Sequence, residues 1–452
     1  MTYLKIKKGL DVPIENPPKG TVRELDPPEL IGLDLSPFSR VRAKLLKKEG
    51  DEVLTGEPIL EDKAVHGKAF ISPCSGKIRE IVRGEKRVVQ TIIFERSEDK
   101  FFEFAKLSID SLSKEDLVKE LQSQGILNHI RSRPFERGVN IKKMPKSIFV
   151  KALESAPFVP SSEMQVKGYE KEFQAGLDAL AKIADGKVHL VFHENTDCEA
   201  FLNAKNVEKH PASGPHPIAN QSLHIYAIDP ITSAHETIWT LTALDVIIVG
   251  ARIEFGKYHT NRVVSLAGPC VKPEKCGFYK TQMGISFAHI INERLNEESE
   301  RVISGDPLSG SEIGVHGYLG FFHTAFSVFK KGQEREPFHF FRPGLKKYTA
   351  SKTYLSGFLK KNKPYPFTTN QHGEHRPFVD GNIYQRYMPM RIPVMQLLKA
   401  LIAEDYDTAV ELGLLEVVPE DFAISTFVCP SKVEMIKIVR NALKKYSEES
   451  GL

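Results

Sequence analysis

The stretch LEDKAVHGKAFISPCSGKI, Leu60 to Ile78, sets a lysine between an aspartate and an alanine, the arrangement that carries a lipoyl or biotinyl group on a swinging arm. Such chemistry requires Lys63 at the apex of a tight hairpin, free in solvent. Gly67 is the residue here that takes positive φ without strain, so the turn is predicted at His66-Gly67-Lys68. Lys63 then falls three residues back on a strand as an ordinary solvated side chain, and a carrier role is not the favoured reading.

The other reactive side chains are scattered. Five cysteines, at 74, 198, 270, 276 and 429, form no Cys-x-x-Cys pair, which fits reduced thiols in a cytosolic compartment. Cys429 stands in a Cys-Pro step, and Cys270 and Cys276 would have to join it in space to make a cluster; buried inert thiols are the expected state. His372 and His375 in QHGEHRPF would align on a helix, but their setting reads as loop, so no metal ligand is assigned. A nucleotide needs glycines that let its phosphates approach a helix start. HIRSRPFERGV offers one glycine, a proline without a donor and two bulky side chains. The five glycines between 305 and 320 follow a strand region and read as turn formers. Gly-x-Ser-x-Gly, His-Glu-x-x-His and the P-loop are absent. No residue is assigned a catalytic or cofactor-binding role.

The elements that hold these residues change character along the chain. A length of 452 residues suggests about three domains. Lys plus Arg at 62 against Asp plus Glu at 58 gives a net charge of +4, spread evenly, which does not argue for nucleic acid. The N-terminus lacks the apolar stretch of a signal peptide, and no segment reaches the 18 or so apolar residues of a spanning helix, so a cytoplasmic, peripheral chain is expected.

Residues 1–105 read as an N-terminal extension followed by a lipoyl-like barrel-sandwich domain of interlocked hairpins, with Gly50-Asp51-Glu52-Val53 echoed by Gly84-Glu85 and Val88. Residues 106–256 read as a doubly wound, Rossmann-like α/β domain without a glycine loop. It opens on a helix capped by Ser113 with Asp116 and stopped by Gly125. The strand SIFVKAL, the helix YEKEFQAGLDALAKIA, the strands KVHLVF and LHIYAI, a helix capped by Ser233 with Glu236 and the strand DVIIVGA follow. Residues 257–335 read as a β-grasp module, with the helix ISFAHIINERL between strands. Residues 336–452 read as an irregular stretch and then a helical C-terminal domain. Its last helix is opened by Ser431 with Glu434 and turns Ile436, Val439 and Leu443 inward. Such a chain, multidomain α/β with no self-contained active site, works inside a complex.

Several long stretches support a family resemblance: IKKGLDVPI, EDK with SPCSGKIREIVRGEKRVVQTIIFE, RSRPF, GPHP at 214 to 217, RVVSLAGP, RVISGDPLSG and EDFAISTFVCPSK. Together they resemble the A subunit of the bacterial sodium-translocating NADH:quinone reductase, in order and from residue 5 to past 430. The CVKPEKCGFY loop, the NEESE insertion and ENPPKGTVRELDPPEL depart from that pattern.

The resemblance implies a peripheral subunit on the cytoplasmic face of the inner membrane, within a six-subunit complex that moves electrons from NADH to ubiquinone and exports Na⁺. Partner components B to F would carry the FAD, FMN and iron–sulfur centre and bind NADH, with the membrane component B the chief contact. The family is similar to the NADH-binding flavoprotein of complex I and its Rnf counterpart, which hold a flavin in a glycine-rich loop and a four-iron cluster on clustered cysteines, and the resemblance implies that both were lost here. The alternative is a flavin-containing dehydrogenase subunit that carries electrons itself. Within LIGLDLSPF and HIRSRPF, Phe38, Arg131, Arg133, Pro134 and Phe135 are the candidate quinone contacts, aromatic walls beside donors to a carbonyl; ordinary surface loops in contact with partners are the competing reading.

Overall fold

The computed structural model describes residues 2–38, 40–291, 294–296, 300–332, 338, 341–359 and 363–451. Much of the NEESE stretch, and Asn292 and Glu293 within ISFAHIINERL, therefore lie outside the described residues.

Alternating apolar residues build the first unit. In Leu30–Asp34 and Val89–Arg96 every second side chain turns inward, so Ile31, Leu33, Ile92 and Phe94 are buried. These strands pair antiparallel with each other; Gly76–Arg83 and Glu52–Val53 complete a four-stranded sheet. A three-stranded sheet, Ala43–Leu45, Pro58–Asp62 and Ala69–Ile71, closes against it. LIGLDLSPF is thus a strand followed by the short helical turn Ser36–Phe38 rather than a segment without pattern. The hairpin after Asp62 also departs from expectation. Gly67 does take φ of 72°, but the connection spans residues 63–68, so Lys63 opens the turn and is exposed instead of lying on the strand. Asp62 sets this by accepting the backbone N–H groups of Arg42 and Ala64, which ends the strand early.

The central sheet has seven strands in the order Leu4–Lys5, Glu208–Ser213, Val188–His193, Ser147–Ala152, Ile238–Thr242, Arg131–Arg133 and Arg137–Gly138. The first five run parallel and the last two form an antiparallel edge. One face is covered by the helices Glu170–Ile183 and Ala243–Phe255, which bury Ile148, Val150, Leu190 and Trp239. These helices approach so closely that a Cβ on Gly250 would lie 1.6 Å from the carbonyl oxygen of Glu172. The helix Lys114–Ser123 is capped by Ser113 with Asp116 as predicted, and Leu117, Val118 and Leu121 are buried.

Three assignments change. LHIYAI belongs to the helix Gln221–Ile228, and Ser233 to Glu236 is only a turn. The fifth parallel strand is Ile238–Thr242, IWTLT, while DVIIVGA lies in the helix Ala243–Phe255, opened by a Thr242–Asp245 capping box. DVIIVGA is buried along its whole length, and LHIYAI is mostly apolar even where Tyr226, Ala227 and Ile228 reach the surface, so neither carries a clear polar face. A short, uniformly apolar run does not reveal whether its period is 2 or 3.6.

From Asn261 the chain forms a six-stranded mixed sheet in the order Ser311–Ile313, Glu300–Ser304, Ala325–Lys330, Asn261–Ala267, Gly277–Gln282 and Val22–Glu24, with the helix Phe287–Ile291 against it. The N-terminal extension thus lends one strand to this sheet and another, Leu4–Lys5, to the central sheet. The C-terminal part packs helices Val394–Ile402, Tyr406–Glu411, Ala423–Val428 and Met435–Glu449 around Leu397, Leu398, Phe422 and Val439. The last helix begins one residue after Glu434. Ser431 Oγ instead donates to the Pro377 carbonyl, and Met435 is buried where Ile436 is only half-buried.

Candidate functional site

HIRSRPF supplies the next-to-last strand of the central sheet and is not a surface loop. Arg131–Arg133 pairs antiparallel with Ile238–Thr242 on one side and Arg137–Gly138 on the other, and the Arg133–Pro134 peptide is cis. The two arginines of this short strand reach different neighbours.

Arg131 faces the junction of three units. Its guanidinium lies 4.0 Å from the ring centre of Phe322 and is paired with Glu136. Phe38 arrives from the barrel-sandwich side, its ring centre 5.8 Å from that of Phe322 and 5.0 Å from those of Phe321 and Phe70. The structure therefore brings Phe38 and Arg131 together through two aromatic residues that sequence reasoning missed. GYLGFFHTAF gave only an apolar signal. What fixes its Phe pair is Arg262, whose buried guanidinium donates to the carbonyls of Phe321 at 2.7 Å and His323 at 3.1 Å. Behind the pair, His129 stacks on Phe321 at 4.7 Å between ring centres, and its Nε2 lies 2.9 Å from the Tyr258 hydroxyl. Its Nδ1 is 3.5 Å from Asp245, at the limit of a hydrogen bond. Burial pushes the His129 imidazole down and outweighs the opposing pull of Asp245. Burial alone would raise the Asp245 carboxyl, but His129 and Thr242 outweigh it and hold the group below its ordinary range. The half-exposed edge of this cluster offers aromatic faces and one guanidinium, a surface suited to a planar ring bearing a hydrogen-bond acceptor.

Arg133 is committed to the interior. It is 4% exposed and donates to Ser222 Oγ at 2.9 Å and to the Glu416 carbonyl at 3.2 Å. It thereby ties the sheet edge to the helix Gln221–Ile228 and to the C-terminal domain. Asp421 of EDFAISTF sits in the same buried network, accepting from Asn220 Nδ2 and the Val418 backbone, each at 2.8 Å. Glu420 beside it is pushed up to about 7 by burial and by the nearby Glu136 and Asp421 charges. Phe135 packs on Tyr446, with Arg137 4.9 Å from its ring centre. Arg133, Pro134 and Phe135 thus stand with the domain junction, and only Phe38 and Arg131 share a patch.

The remaining candidates are dispersed. Cys270 and Cys276 lie in the core of the mixed sheet, while Cys429 is buried in the C-terminal core, 3.1 Å from the Tyr384 hydroxyl. His372 and His375 are exposed on an irregular stretch. The glycine-rich 305–320 region connects strands, with Asp306 accepting the N–H groups of Leu308 and Ser309 at 2.8 and 3.0 Å, so its glycines serve turns. A cavity of about 700 Å³ lies beside Tyr226, Ile231, Arg391, Leu415 and Glu416, and one of about 220 Å³ beside Tyr258 and His259. Neither is lined by Phe38 or Arg131.

A barrel-sandwich, a mostly parallel α/β sheet and a mixed-sheet module in one chain define a composite, multidomain class of protein, and three family models match in that order. They are the NqrA N-terminal barrel-sandwich hybrid domain at residues 4–97, the NqrA second alpha/beta domain at 112–258 and the NQRA C-terminal domain at 263–314. The chain is 35% identical over 460 residues to the A subunit of the Na(+)-translocating NADH-quinone reductase of Chlamydia pneumoniae, covering 99% of this chain and 98% of that one. It is 36% identical over 450 residues to the Photorhabdus laumondii protein of the same description, covering 99% and 100%. The chain belongs to the NqrA family, the A subunits of the Na⁺-translocating NADH-quinone reductase, an oxidoreductase complex. A chain of an NAD⁺-reducing [NiFe]-hydrogenase aligns over 75% of this chain and 64% of its own, at 10% identity and a TM-score of 0.37, too slight a likeness to carry an argument. No helix among the described residues is long and apolar enough to cross a membrane.

Proposed function

We propose that the chain works as a docking subunit on the cytoplasmic face of the inner membrane and completes a quinone site with the membrane component B of the complex. FAD, FMN, the iron–sulfur centre and NADH belong to the partner subunits, and electrons pass to ubiquinone without stopping on this chain. The observation that supports this most directly is the patch of Phe38, Phe322 and Arg131, where three units of the fold meet. Phe38 and Phe322 would face the quinone ring and Arg131 would donate to a carbonyl. A patch open on one side gains its far wall only from a partner.

A second surface supports docking at a membrane protein. Phe338, Phe341, Phe358 and Leu359 are 72%, 80%, 61% and 64% exposed, an unusual density of apolar side chains for a free surface, and Lys346, Lys347 and Lys352 lie in the same stretch. The test is photoaffinity labelling of the assembled complex with a quinone analogue. Label on the segments containing Phe38, Arg131 or Phe322, lost in Arg131→Met, supports the site. Label confined to other subunits removes it.

A further inference from the structure

A group of side chains on the far side of the central sheet has the makings of a metal centre. The parallel strands Val188–His193 and Glu208–Ser213 place His189 opposite Glu208, and Val191 opposite His210. Side chains two apart on a strand share a face, so His189, Glu208 and His210 converge. Phe149 is the register partner of His189 on the next strand, and its ring stacks on the imidazole with centres 4.7 Å apart, fixing the ring plane. His189 Nδ1 lies 3.0 Å from His210 Nε2 and 3.7 Å from Glu208 Oε2, and one ligand atom from each of the three residues lies within 4.8 Å of the others.

In a tetrahedral site with bonds of about 2.0–2.1 Å, neighbouring ligand atoms are separated by roughly 3.3–3.4 Å. The observed 3.0 and 3.7 Å bracket that edge, so shifts of a few tenths of an ångström would close the coordination. We propose that His189, Glu208 and His210 bind a divalent transition metal of the zinc class, leaving a fourth position for water. Two imidazoles and a carboxylate are the ligand set that suits Zn²⁺ or Co²⁺, and the hard cations Mg²⁺ and Ca²⁺ are expected to bind poorly.

The surroundings supply what such ligands need behind them. His210 Nδ1 lies 3.3 Å from the Thr2 carbonyl, so a proton on Nδ1 is donated there and the Nε2 lone pair faces the metal. The same Nδ1 is 3.0 Å from the Thr2 N–H, which suits the other tautomer, in which Nε2–H donates to His189. Metal binding thus selects one tautomer of a ring that already has partners for both. Lys187 pairs with Glu208 Oε1 and leaves Oε2 for the metal. Both histidines are buried, at 5% and 1% exposed, while Glu208 is half-exposed and gives the ion a way in. A bound ion would clamp two strands and, through Thr2, the N-terminal strand Leu4–Lys5 that pairs with Glu208–Ser213.

The test is titration of the untagged, chelator-stripped full chain with Co²⁺, followed by competition with Zn²⁺ and by thermal unfolding. One Co²⁺ per chain, with visible absorption bands abolished by Zn²⁺ and a raised unfolding temperature, is expected. His189→Asn and His210→Asn should each weaken binding by at least about tenfold. Lys187→Ala, which keeps all three ligands, should bind as the parent does, and circular dichroism checks that each variant is folded. Absence of stoichiometric binding would mean that the pair is only a hydrogen-bonded couple, and binding untouched by both histidine variants would place the metal elsewhere; either result overturns the proposal.

Discussion

Arg131 and Arg133 stand two residues apart in one short strand, yet the structure gives them opposite roles, and methionine at each position separates the two. In Arg133→Met the stem is kept and the guanidinium removed, leaving Ser222 Oγ and the Glu416 carbonyl without their charged donor in a buried setting that also holds Asp421. Hydrogen bonds to a charged group are worth about 1.5–3 kcal/mol each, so losing these two costs about 3–6 kcal/mol. For a cooperative unit of roughly 150–250 residues, the scale of the α/β domain that holds Arg133, about 1 kcal/mol moves the unfolding midpoint by about 2–4 °C, so a drop on the order of 10 °C in that domain's transition is expected in a thermal scan at fixed rate. Arg131 is half-exposed, and its pairing with Glu136 and Phe322 is screened by solvent. Arg131→Met should cost less than about 1 kcal/mol and leave the midpoint nearly unchanged. In the reassembled complex, Arg131→Met should lower quinone labelling and raise the KM for quinone. A stable Arg133→Met chain with impaired quinone binding, beside an Arg131→Met chain that unfolds early, would refute the assignment.

Four further outcomes follow from the same geometry. Gly250→Ala should yield insoluble or unfolded protein, because its Cβ would lie 1.6 Å from the Glu172 carbonyl oxygen; a soluble variant with a native midpoint would contradict the described helix crossing. His224, His259 and His323 are each pushed down to about 4 by burial, so the unfolded chain binds more protons between about 4 and 6.5. Stability should therefore fall as pH falls through that window, by as much as about 4 kcal/mol per pH unit for three sites. Glu420, raised to about 7, works in the opposite sense over pH 4.5 to 7, and denaturant midpoints that stay flat from pH 6.5 to 4.5 would count against the burial of the three imidazoles. Phe358→Glu with Leu359→Glu should weaken reassembly with the membrane subunits and leave the isolated chain's unfolding midpoint unchanged, as a pull-down against the complex stripped of this component can measure. Lys63→Arg should leave intact mass and complex activity otherwise unaltered; loss of an added lipoyl or biotinyl mass would restore the carrier reading.

What the sequence determined by itself was mostly local and periodic. Alternation in Leu30–Asp34 and Val89–Arg96, the Ser113 cap with its inward Leu117, Val118 and Leu121, and the amphipathic Glu170–Ile183 were legible because each pattern is set by neighbours a few residues away. Long motif stretches also carried the family. LHIYAI and DVIIVGA were misread because a short apolar run lacks the polar face that distinguishes a helix from a strand, DVIIVGA through full burial and LHIYAI through apolar side chains even at its surface, and only tertiary packing chose the helix.

The candidate site was half legible. Phe38 and Arg131 were named from residue type, but Phe321, Phe322, His129 and Arg262 join them from distant parts of the chain, and no spacing rule links position 38 to 322. Arg133 resembled Arg131 in sequence, and the helix Gln221–Ile228 and the Glu416 carbonyl made it structural. His189, Glu208 and His210 were silent for the same reason: strands joined by a crossover set side chains against each other at whatever separation the connection requires. Sequence recorded which groups the chain possesses, and the register of parallel strands decided which of them meet.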